Sequence, residues 1–537
     1  MAQTLCKDII EYHEASKHYP GNYAESLPFL DWDNQPNPFR TYQGAPTLDL
    51  PFLEGPLNLA RKHLYIPPEA PAWTVDARGI GALLELSLGL SCWKEYDGAR
   101  WALRMNPSSG NLHPTEAHII SAQLDGHFHY QPEHHQLERR AELSDAARAG
   151  LEALEGGFLL GLSSVVIRES WKYGVRAFRY VQHDLGHALA AISIAANMLG
   201  WKVRLLNGLG QERIGQLLGF HHTAWVKNEA EEPEALLWIG PKEVAAPQDL
   251  PAGLDEALAD LTFVGKPLPL SKDNLPWQPN EEAVSDSIQT DRAFRPQPLP
   301  ERPWFEGPAA DADAEALIRR RRSGQAYDPK ASGTDKAHFI SLLEKTVPRA
   351  GAAPFDLDLP APKADLLLFV HNVEGMAQGT YILVRDKAQL AVLQGAFSQR
   401  FMWSKIETEA NLDLYLLETG NARKMMAQVS CNQAIGGHSA FTLGMLVPFG
   451  SSLEEDPSLY RRLFWECGMV GQVLYLEAEA AGLQGTGIGC YHDNQVHEYL
   501  QLEGRPFQSF YHFTIGKALV DDRISTAPPY NERRNLK

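Results

Sequence analysis

Residues 170–201 have the sequence SWKYGVRAFRYVQHDLGHALAAISIAANMLGW, which predicts a long central helix. The run from His187 to Trp201 contains no charged side chain. It is shorter than the roughly 18 apolar residues of a membrane-spanning helix and is typical of a helix buried on all sides. We place Asp184 near the start of this helix, where the helix dipole favours an acid. Gly186 then lacks a side chain at a point where a second backbone can approach closely.

The same pattern returns later in the chain at a constant offset of 282 positions. The pairs in register are Gly186 with Gly468, Arg179 with Arg461, Asp184 with Glu466, Ala196 with Ala478, and Gly200 with Gly482. One register along a whole helix indicates an internal duplication of a domain. We therefore predict two related domains that pack as an intramolecular pseudodimer through paired central helices.

Length and composition favour a soluble protein with two large α/β domains. The 537 residues exceed what one core holds. The formal net charge of −18 disfavours nucleic acid and anionic membrane as partners. The N-terminus has no apolar signal segment, so we expect a cytoplasmic protein without a membrane partner. The five cysteines are scattered without a CxxC pair, so no metal site is expected.

The pattern of apolar runs, prolines and turns divides the chain into four parts. Residues 1–73 are predicted to be an N-terminal arm, rich in Pro and aromatic residues and laid over another surface; a loosely ordered tail is the alternative. Residues 74–241 and 309–530 are predicted to be the two domains, each a mixed sheet flanked by helices. Residues 242–308 are predicted to be a Pro-rich linker.

Three short stretches have side chains that suit a phosphorylated, planar cofactor. Arg319–Arg322 and Ser323 offer guanidinium groups and a hydroxyl to a phosphate, although such arginines also neutralise the end of a helix. The stretch NPSSGN, residues 106–111, offers hydroxyls and an amide, although a simple turn uses the same residues. The stretch GTGIGC, residues 485–490, allows a close backbone approach but lacks dinucleotide-binding spacing.

Together these stretches carry a resemblance to a known family. RRSGQAYD, NPSSGNLHPTE, the two central helices and GLQGTGIGCYHD resemble the FMN-binding elements of the nitroreductase fold. KYGVRAFRYVQHDLGH and YHEASKH resemble the SagB/ThcOx-type dehydrogenases within it. The resemblance implies FMN at an interface, with the RRS stretch supplied by one side and the PSSxN loop by the other.

Each half keeps what the other half lacks. The second half has RRSGQAY but VPRAGAAPF where a serine loop would follow; the first half has NPSSGN but DARGIGALLELS where the arginines would precede it. The resemblance then implies one FMN per chain. The residues expected to bind it are Arg321, Arg322, Ser323 and Gln325, with Pro107, Ser108, Ser109 and Asn111 from the first half, and Gly489 and Cys490 facing N5. Gln325 replaces the usual Lys or Arg, and Arg104 or Arg523 would restore that charge.

Lys172 and Tyr173 are the candidate catalytic residues. The azoline oxidases that this chain resembles have a Lys–Tyr pair at the matching place. A lysine desolvated beside a flavin can act as a base, and a tyrosine can relay or orient the proton. A surface lysine and a packing aromatic are the alternative. His113, His183 and His187 are expected to be core residues, since no metal-ligand spacing supports another role.

These features predict an FMN-dependent oxidoreductase, most similar to dehydrogenases that oxidise peptide azolines. One alternative is an NAD(P)H-dependent reductase of nitro, quinone or enone substrates. A second alternative is a non-catalytic binding or scaffold protein whose flavin site has decayed. The expected partners are a small-molecule or peptide substrate, and the expected state is a monomeric pseudodimer or a higher homo-oligomer.

Overall fold

Two seven-stranded sheets form the framework of the protein, whose computed structural model describes residues 6–294, 296–359 and 362–534. The first sheet has the spatial order Thr47–Asp49, Gln136–Ala141, Gly126–Gln131, Thr115–Ser121, Phe158–Ser164, Glu232–Pro241, Trp201–Leu205. The second sheet has the spatial order Ser404–Lys405, Leu414–Thr419, Gly379–Leu383, Asp365–Val370, Phe441–Pro448, Phe507–Gly516, Gln484–Ile488. The two orders match strand for strand at the last four positions, as a duplication requires.

The strand directions depart from the mixed sheets that the sequence predicted. Strands Phe158–Ser164 and Trp201–Leu205 run in the same direction, but strand Glu232–Pro241 lies between them and is antiparallel to both. The second sheet repeats this insertion. The other strand pairings within the two sheets are antiparallel as well, so both sheets are antiparallel throughout the described residues.

Helices flank both sheets, and three smaller sheets complete the secondary structure. The α-helices are Ile9–Ala15, Ala77–Ser87, Asp145–Glu152, Val166–Tyr173, Ala177–Met198, Gln211–Leu217, Leu254–Ala259, Gln278–Asp286, Ala314–Arg320, Lys336–Glu344, Leu390–Ala396, Arg423–Val429, Ile435–His438, Ser451–Glu455, Leu459–Ala480, Asp493–Leu500 and Asn531–Arg534. The smaller sheets pair Tyr42–Gln43 with Lys266–Pro267, Thr334–Asp335 with Val373–Glu374, and Leu90–Tyr96 with both Ala99–Arg104 and Ser525–Ala527.

The two central helices, Ala177–Met198 and Leu459–Ala480, are each 22 residues long and cross at a pair of glycines. A Cβ on Gly186 would lie 2.3 Å from the carbonyl oxygen of Trp465 and 2.9 Å from the Cα of Gly468. A Cβ on Gly468 would lie 2.3 Å from the carbonyl oxygen of His183. The prediction of two α/β domains packed through central helices is confirmed, with the equivalent glycines at the crossing.

Buried ion pairs also join the halves reciprocally. Arg179 of the first central helix donates to Asp493 at 2.6 Å, and Arg461 of the second donates to Glu234 at 2.6 Å. All four side chains are almost completely buried. Because a buried charge without its partner is strongly destabilising, these pairs fix the relative position of the halves.

The predicted arm and linker are built into the two halves. Strand Thr47–Asp49 extends the first sheet, and the ring of Tyr12 contacts Phe178 and Tyr460 on the two central helices. The linker region contains helices Leu254–Ala259 and Gln278–Asp286. Residues 1–5 of the arm, Arg295 of the linker, and residues 360–361 and 535–537 lie outside the described ranges. The division at residues 73, 241 and 308 stays a prediction.

Candidate functional site

The serine loop, residues 106–111, is fixed by the first central helix. Ser108 Oγ donates to Asp184 at 2.6 Å, and Ser109 donates to the same carboxylate from its backbone N–H at 2.9 Å and from its Oγ at 3.0 Å. Pro107, within the loop, is buried. Asn111 has a positive φ of 61° and donates from Nδ2 to a backbone carbonyl of the preceding strand. The loop is therefore rigid and leaves Ser108 and Ser109 half-buried.

The position of Asp184 differs from the sequence prediction. The helix begins at Ala177, so Asp184 lies in its second turn and not near its start. Its carboxylate is 2% exposed and is directed at the serine loop. An acid is favoured at this position because it accepts hydrogen bonds from Ser108 and Ser109, and not because of the helix dipole.

Lys172 and Tyr173 lie at the end of helix Val166–Tyr173, against the serine loop. A Cβ on Gly110 would be 2.6 Å from the hydroxyl of Tyr173 and 3.0 Å from Nζ of Lys172. Burial lowers the pKa of Lys172, although the nearby Glu169 carboxylate raises it. Burial also raises the pKa of Tyr173 well above its usual range. Both side chains are half-buried, so the lysine is desolvated but still accessible.

The arginine–serine stretch, residues 321–325, reaches the serine loop from the second half. Arg321 donates to the backbone carbonyls of Met105 at 3.1 Å and Arg104 at 3.0 Å, directly before the loop. Arg322 donates to the carbonyls of Arg319 and Arg321 and is half-buried. In this structure both guanidinium groups hold backbone carbonyls. The groups that remain accessible are the half-buried hydroxyl of Ser323 and the exposed amide of Gln325.

The side chains of the two arginines considered as replacements for a missing charge have other partners. Arg104 is buried, donates to the carbonyl of Pro38 and lies over the ring of Phe39. Burial lowers its pKa to about 10. Arg523 is exposed, pairs with Asp521 at 2.7 Å and lies over the ring of Tyr96. Among the contacts of the described residues, none joins Arg523 to the arginine–serine stretch.

Residues 485–490, which we call the glycine loop, begin within the edge strand Gln484–Ile488 and leave it at Gly489. The backbone N–H of Gly487 donates to Tyr475 Oη at 3.0 Å, and the same hydroxyl meets Ser323 Oγ at 2.9 Å. The Gly489 carbonyl accepts from Arg176 at 3.0 Å. A Cβ on Gly489 would be 2.0 Å from the ring of Tyr180 on the first central helix. Tyrosine side chains from both central helices therefore pack against this loop.

The structure brings the three predicted stretches together across the seam between the halves. Arg321 ties the second half to the serine loop, and Tyr475 ties Ser323 to the glycine loop. Tyr173 and Tyr180 have ring centroids 4.3 Å apart and connect the serine loop to Gly489. Half-buried polar groups from both halves thus share one neighbourhood.

The equivalent place on the opposite side of the pseudodimer is occupied by residues 355–359. The offset of 282 positions makes Leu205 the counterpart of Gly487. Leu205 N–H donates to the carbonyl of Leu357 at 3.1 Å, and Arg204 pairs with Asp358 at 2.5 Å. A small cavity of about 30 Å³ remains beside this segment, lined mainly by apolar residues such as Phe355. The sequence of residues 355–364, which precede the strand equivalent to the one after the serine loop, contains no serine.

Asp184 gives a testable pH dependence. Burial raises its pKa to about 7, although hydrogen bonds from Ser108 and Ser109 lower it. An acid with a raised folded-state pKa stabilises the fold below about pH 4 and loses that contribution as the pH rises to about 7. Asp184→Asn keeps the shape without titrating, so we expect the fall in stability across this window to shrink by up to about 4 kcal/mol.

The measurement is the urea unfolding midpoint of wild type, Asp184→Asn and the exposed control Asp522→Asn between about pH 4 and 8. The control is expected to keep the wild-type profile. Identical profiles for wild type and Asp184→Asn would show that this carboxyl does not titrate in that window.

Several residues of the site were missed by the sequence analysis. Glu169 and Tyr475 carry no motif, and Ser323, the partner of Tyr475, is 152 positions away from it. One signal did exist in the sequence, because the repeat pairs Asp184 with Glu466. In the structure both carboxylates accept a backbone N–H just before equivalent strands: Glu466 accepts from Lys363 at 2.9 Å, and Asp184 accepts from Ser109 at 2.9 Å.

The described ranges contain neither a cluster suited to a metal ion nor a helix suited to a membrane. No group of three or more His, Cys, Asp or Glu side chains there is arranged to hold a metal ion. No helix of that part of the chain has the length and apolar character needed to cross a membrane. His113, His183 and His187 each have a hydrogen-bond partner, and burial lowers the pKa of all three.

Comparison with known proteins shows the fold. No protein-family model and no curated protein matches the chain. A crystal structure from Anabaena variabilis, described as a candidate nitroreductase, has 22% identity and a TM-score of 0.69, covering 96% of this chain and 100% of its own. This likeness confirms two nitroreductase-like domains in one chain.

Two further structures match one part of the chain. A candidate nitroreductase from Ralstonia eutropha has 16% identity and a TM-score of 0.27, covering 43% of this chain and 97% of its own. A candidate nitroreductase in complex with FMN from Exiguobacterium sibiricum has 14% identity and a TM-score of 0.22, covering 38% and 88%. Because both TM-scores are low, only the Anabaena variabilis structure supports the fold.

Proposed function

We propose that this protein is an FMN-dependent oxidoreductase with one flavin per chain and peptide azolines as its substrate class. The observation that carries the proposal is the meeting of the serine loop, the arginine–serine stretch and the glycine loop at one seam. Each stretch alone is a weak signal. The supporting fact is that Arg321 joins the serine loop to the arginine–serine stretch, 216 positions away from Met105 in sequence.

The chemistry of the donor set fits an FMN at this seam. Ser323 and Gln325 offer a hydroxyl and an amide to a phosphate or ribityl chain. The hydroxyls of Ser108 and Ser109 donate to Asp184 and would accept from an N–H group at a ring edge through their lone pairs. The Oδ1 atom of Asn106, at the start of the serine loop, is buried and has no hydrogen-bond partner in the described ranges. A buried acceptor without a partner is costly, and a bound ligand with an N–H group would satisfy it.

The residues of this chain would position the substrate and move its proton. When bound, FMN supplies hydride transfer at N5. Lys172, desolvated beside Gly110, is proposed to take the proton from the substrate, with Tyr173 orienting it. The tyrosine rings packed on the glycine loop would exclude water from the reacting edge.

The flavin proposal predicts a stoichiometry and an affinity change. Extraction is expected to give one FMN per chain, because residues 355–359 occupy the opposite position. Ser323→Ala is expected to weaken FMN binding about 5- to 10-fold, since it removes one hydrogen-bonding hydroxyl. The exposed control Ser285→Ala should bind as wild type. Fluorescence titration of the flavin measures both, and two FMN per chain would contradict the composite site.

The same preparation separates the competing functions. Rapid bleaching of the flavin by NADPH would favour a reductase of nitro, quinone or enone substrates over a dehydrogenase. A colourless protein that binds no added FMN would favour a scaffold protein and reject the proposal. Oxidation of a synthetic peptide thiazoline to the thiazole, with oxygen as acceptor, would support it.

A further inference from the structure

Two of the five cysteines lie side by side at the edge of the candidate site. Cys431 and Cys490 are 59 positions apart in sequence, and their Sγ atoms are 2.8 Å apart. Both are half-buried and both are free thiols. A disulfide bond is about 2.05 Å long, so a shift of less than about 1 Å would close one. The other cysteines, Cys6, Cys92 and Cys467, are buried and lie elsewhere.

The backbone holds Cys431 in an unusual conformation. After helix Arg423–Val429, Cys431 has a φ of 53° and Asn432 a φ of 62°, both in the left-handed region that non-glycine residues seldom adopt. The backbone N–H of His492 donates to the carbonyl of Val429 at 2.7 Å and fastens this turn to the glycine loop. Consecutive residues held this way cost stability, which is typical of sites where geometry serves a function.

The surroundings make the two thiols unequal. His18 accepts a hydrogen bond from Ala24 N–H on Nδ1 at 2.9 Å, so its Nε2 carries the proton and can donate to Cys490. The hydrogen bond with Cys431, followed by those from His18 and the charge of Arg176, lowers the pKa of Cys490. The same pairing raises the pKa of Cys431. Cys490 therefore supplies the thiolate, and Cys431 remains a thiol.

We propose that Cys431 and Cys490 form a redox-active dithiol that exchanges with small disulfides. The Cys490 thiolate attacks one sulfur of a disulfide RSSR, the S–S bond breaks, and one RS⁻ leaves and takes a proton. Cys431, losing its proton to solvent, then attacks Cys490 Sγ, and the second RS⁻ leaves and is protonated. The protein loses two hydrogens and RSSR is reduced to two RSH.

The exchange needs no flavin, but it would affect the proposed flavin site because Cys490 belongs to the glycine loop. Cys490 directly follows Gly489, whose carbonyl is held by Arg176. Formation of the disulfide would draw Cys490 toward Cys431 and change the edge of the glycine loop. The oxidation state of the dithiol thus sets the shape of the candidate site.

The test uses the full-length protein equilibrated with mixtures of reduced and oxidised dithiothreitol, then acid-quenched and alkylated for peptide mass analysis. We expect two thiols to disappear on oxidation, with a linked Cys431–Cys490 peptide two hydrogens lighter, and to return with excess reductant. With glutathione disulfide, Cys431→Ser should trap a glutathione adduct on Cys490, because the resolving thiol is gone. The control Cys6→Ser should still form the linked peptide.

Two results would overturn this proposal. One is that both cysteines stay alkylatable in every mixture. The other is that wild type accumulates the glutathione adduct on Cys490 without closing to the linked peptide. A colourless protein that still forms the linked peptide would reject the flavin proposal and retain the dithiol.

Discussion

Replacing Gly186 by alanine is expected to destabilise the protein by about 2 to 3 kcal/mol. The added Cβ would lie 2.3 Å from the carbonyl oxygen and 2.8 Å from the Cα of Trp465. Both are backbone atoms of the other central helix, so no side-chain rotation can relieve the overlap. The helices would have to separate along a contact that holds the two halves together. Overpacking of this kind strains a well-packed core.

The measurement is the urea unfolding midpoint followed by intrinsic fluorescence. Gly395→Ala is the matched control, because Gly395 lies in helix Leu390–Ala396, is exposed, and has nothing within 4 Å of its added Cβ. It should gain up to about 1 kcal/mol, since alanine favours helix over glycine. Gly468→Ala should behave as Gly186→Ala, and the double variant should cost less than the sum because the sites touch. An unchanged midpoint for Gly186→Ala would mean the helices are not in close contact at this crossing.

The repeat offset carries most of what the sequence could predict of the fold. Equivalent glycines at a fixed separation imply equivalent helices, and two buried helices can pack most closely where neither has a side chain. The repeat offset does not predict the directions of the strands. The strand that makes each sheet antiparallel follows the central helix in sequence and lies between two strands that precede it in the chain, and no local pattern predicts that placement.

The candidate site was predictable where a short motif carries the chemistry and not where a partner is distant. The serine loop and the arginine–serine stretch were located from their own residues. The use of Arg321 was not, because its acceptors are the carbonyls of Arg104 and Met105 and a carbonyl leaves no trace in a sequence. The same applies to Cys431, because Cys490 is 59 positions away and no motif links the two cysteines in the sequence.

Lys172→Met is expected to lower the rate of substrate oxidation by about 10² to 10⁴-fold while flavin binding is retained. Methionine is unbranched like lysine and one atom shorter, and it takes no proton. Burial already lowers the pKa of Lys172, so the neutral amine is more available than in water. Because a base must be deprotonated, the wild-type rate should rise with pH until the lysine has lost its proton, and that rise should disappear in the variant. Lys172→Arg should not restore activity, since a guanidinium stays protonated.

The assay follows anaerobic bleaching of the visible flavin band by a synthetic peptide thiazoline, after the flavin content of each variant has been measured. Tyr173→Phe keeps the ring that packs on Tyr180 and removes only the hydroxyl, so a smaller loss, about 10-fold, is expected from it. The exposed control Lys62→Met should match wild type. The bleaching rate and its pH profile together distinguish a base from a residue that only packs, because a packing residue would not change the profile. A flavin-loaded Lys172→Met protein that turns over at the wild-type rate would remove Lys172 from the mechanism and leave Tyr173 as the remaining candidate beside Gly110.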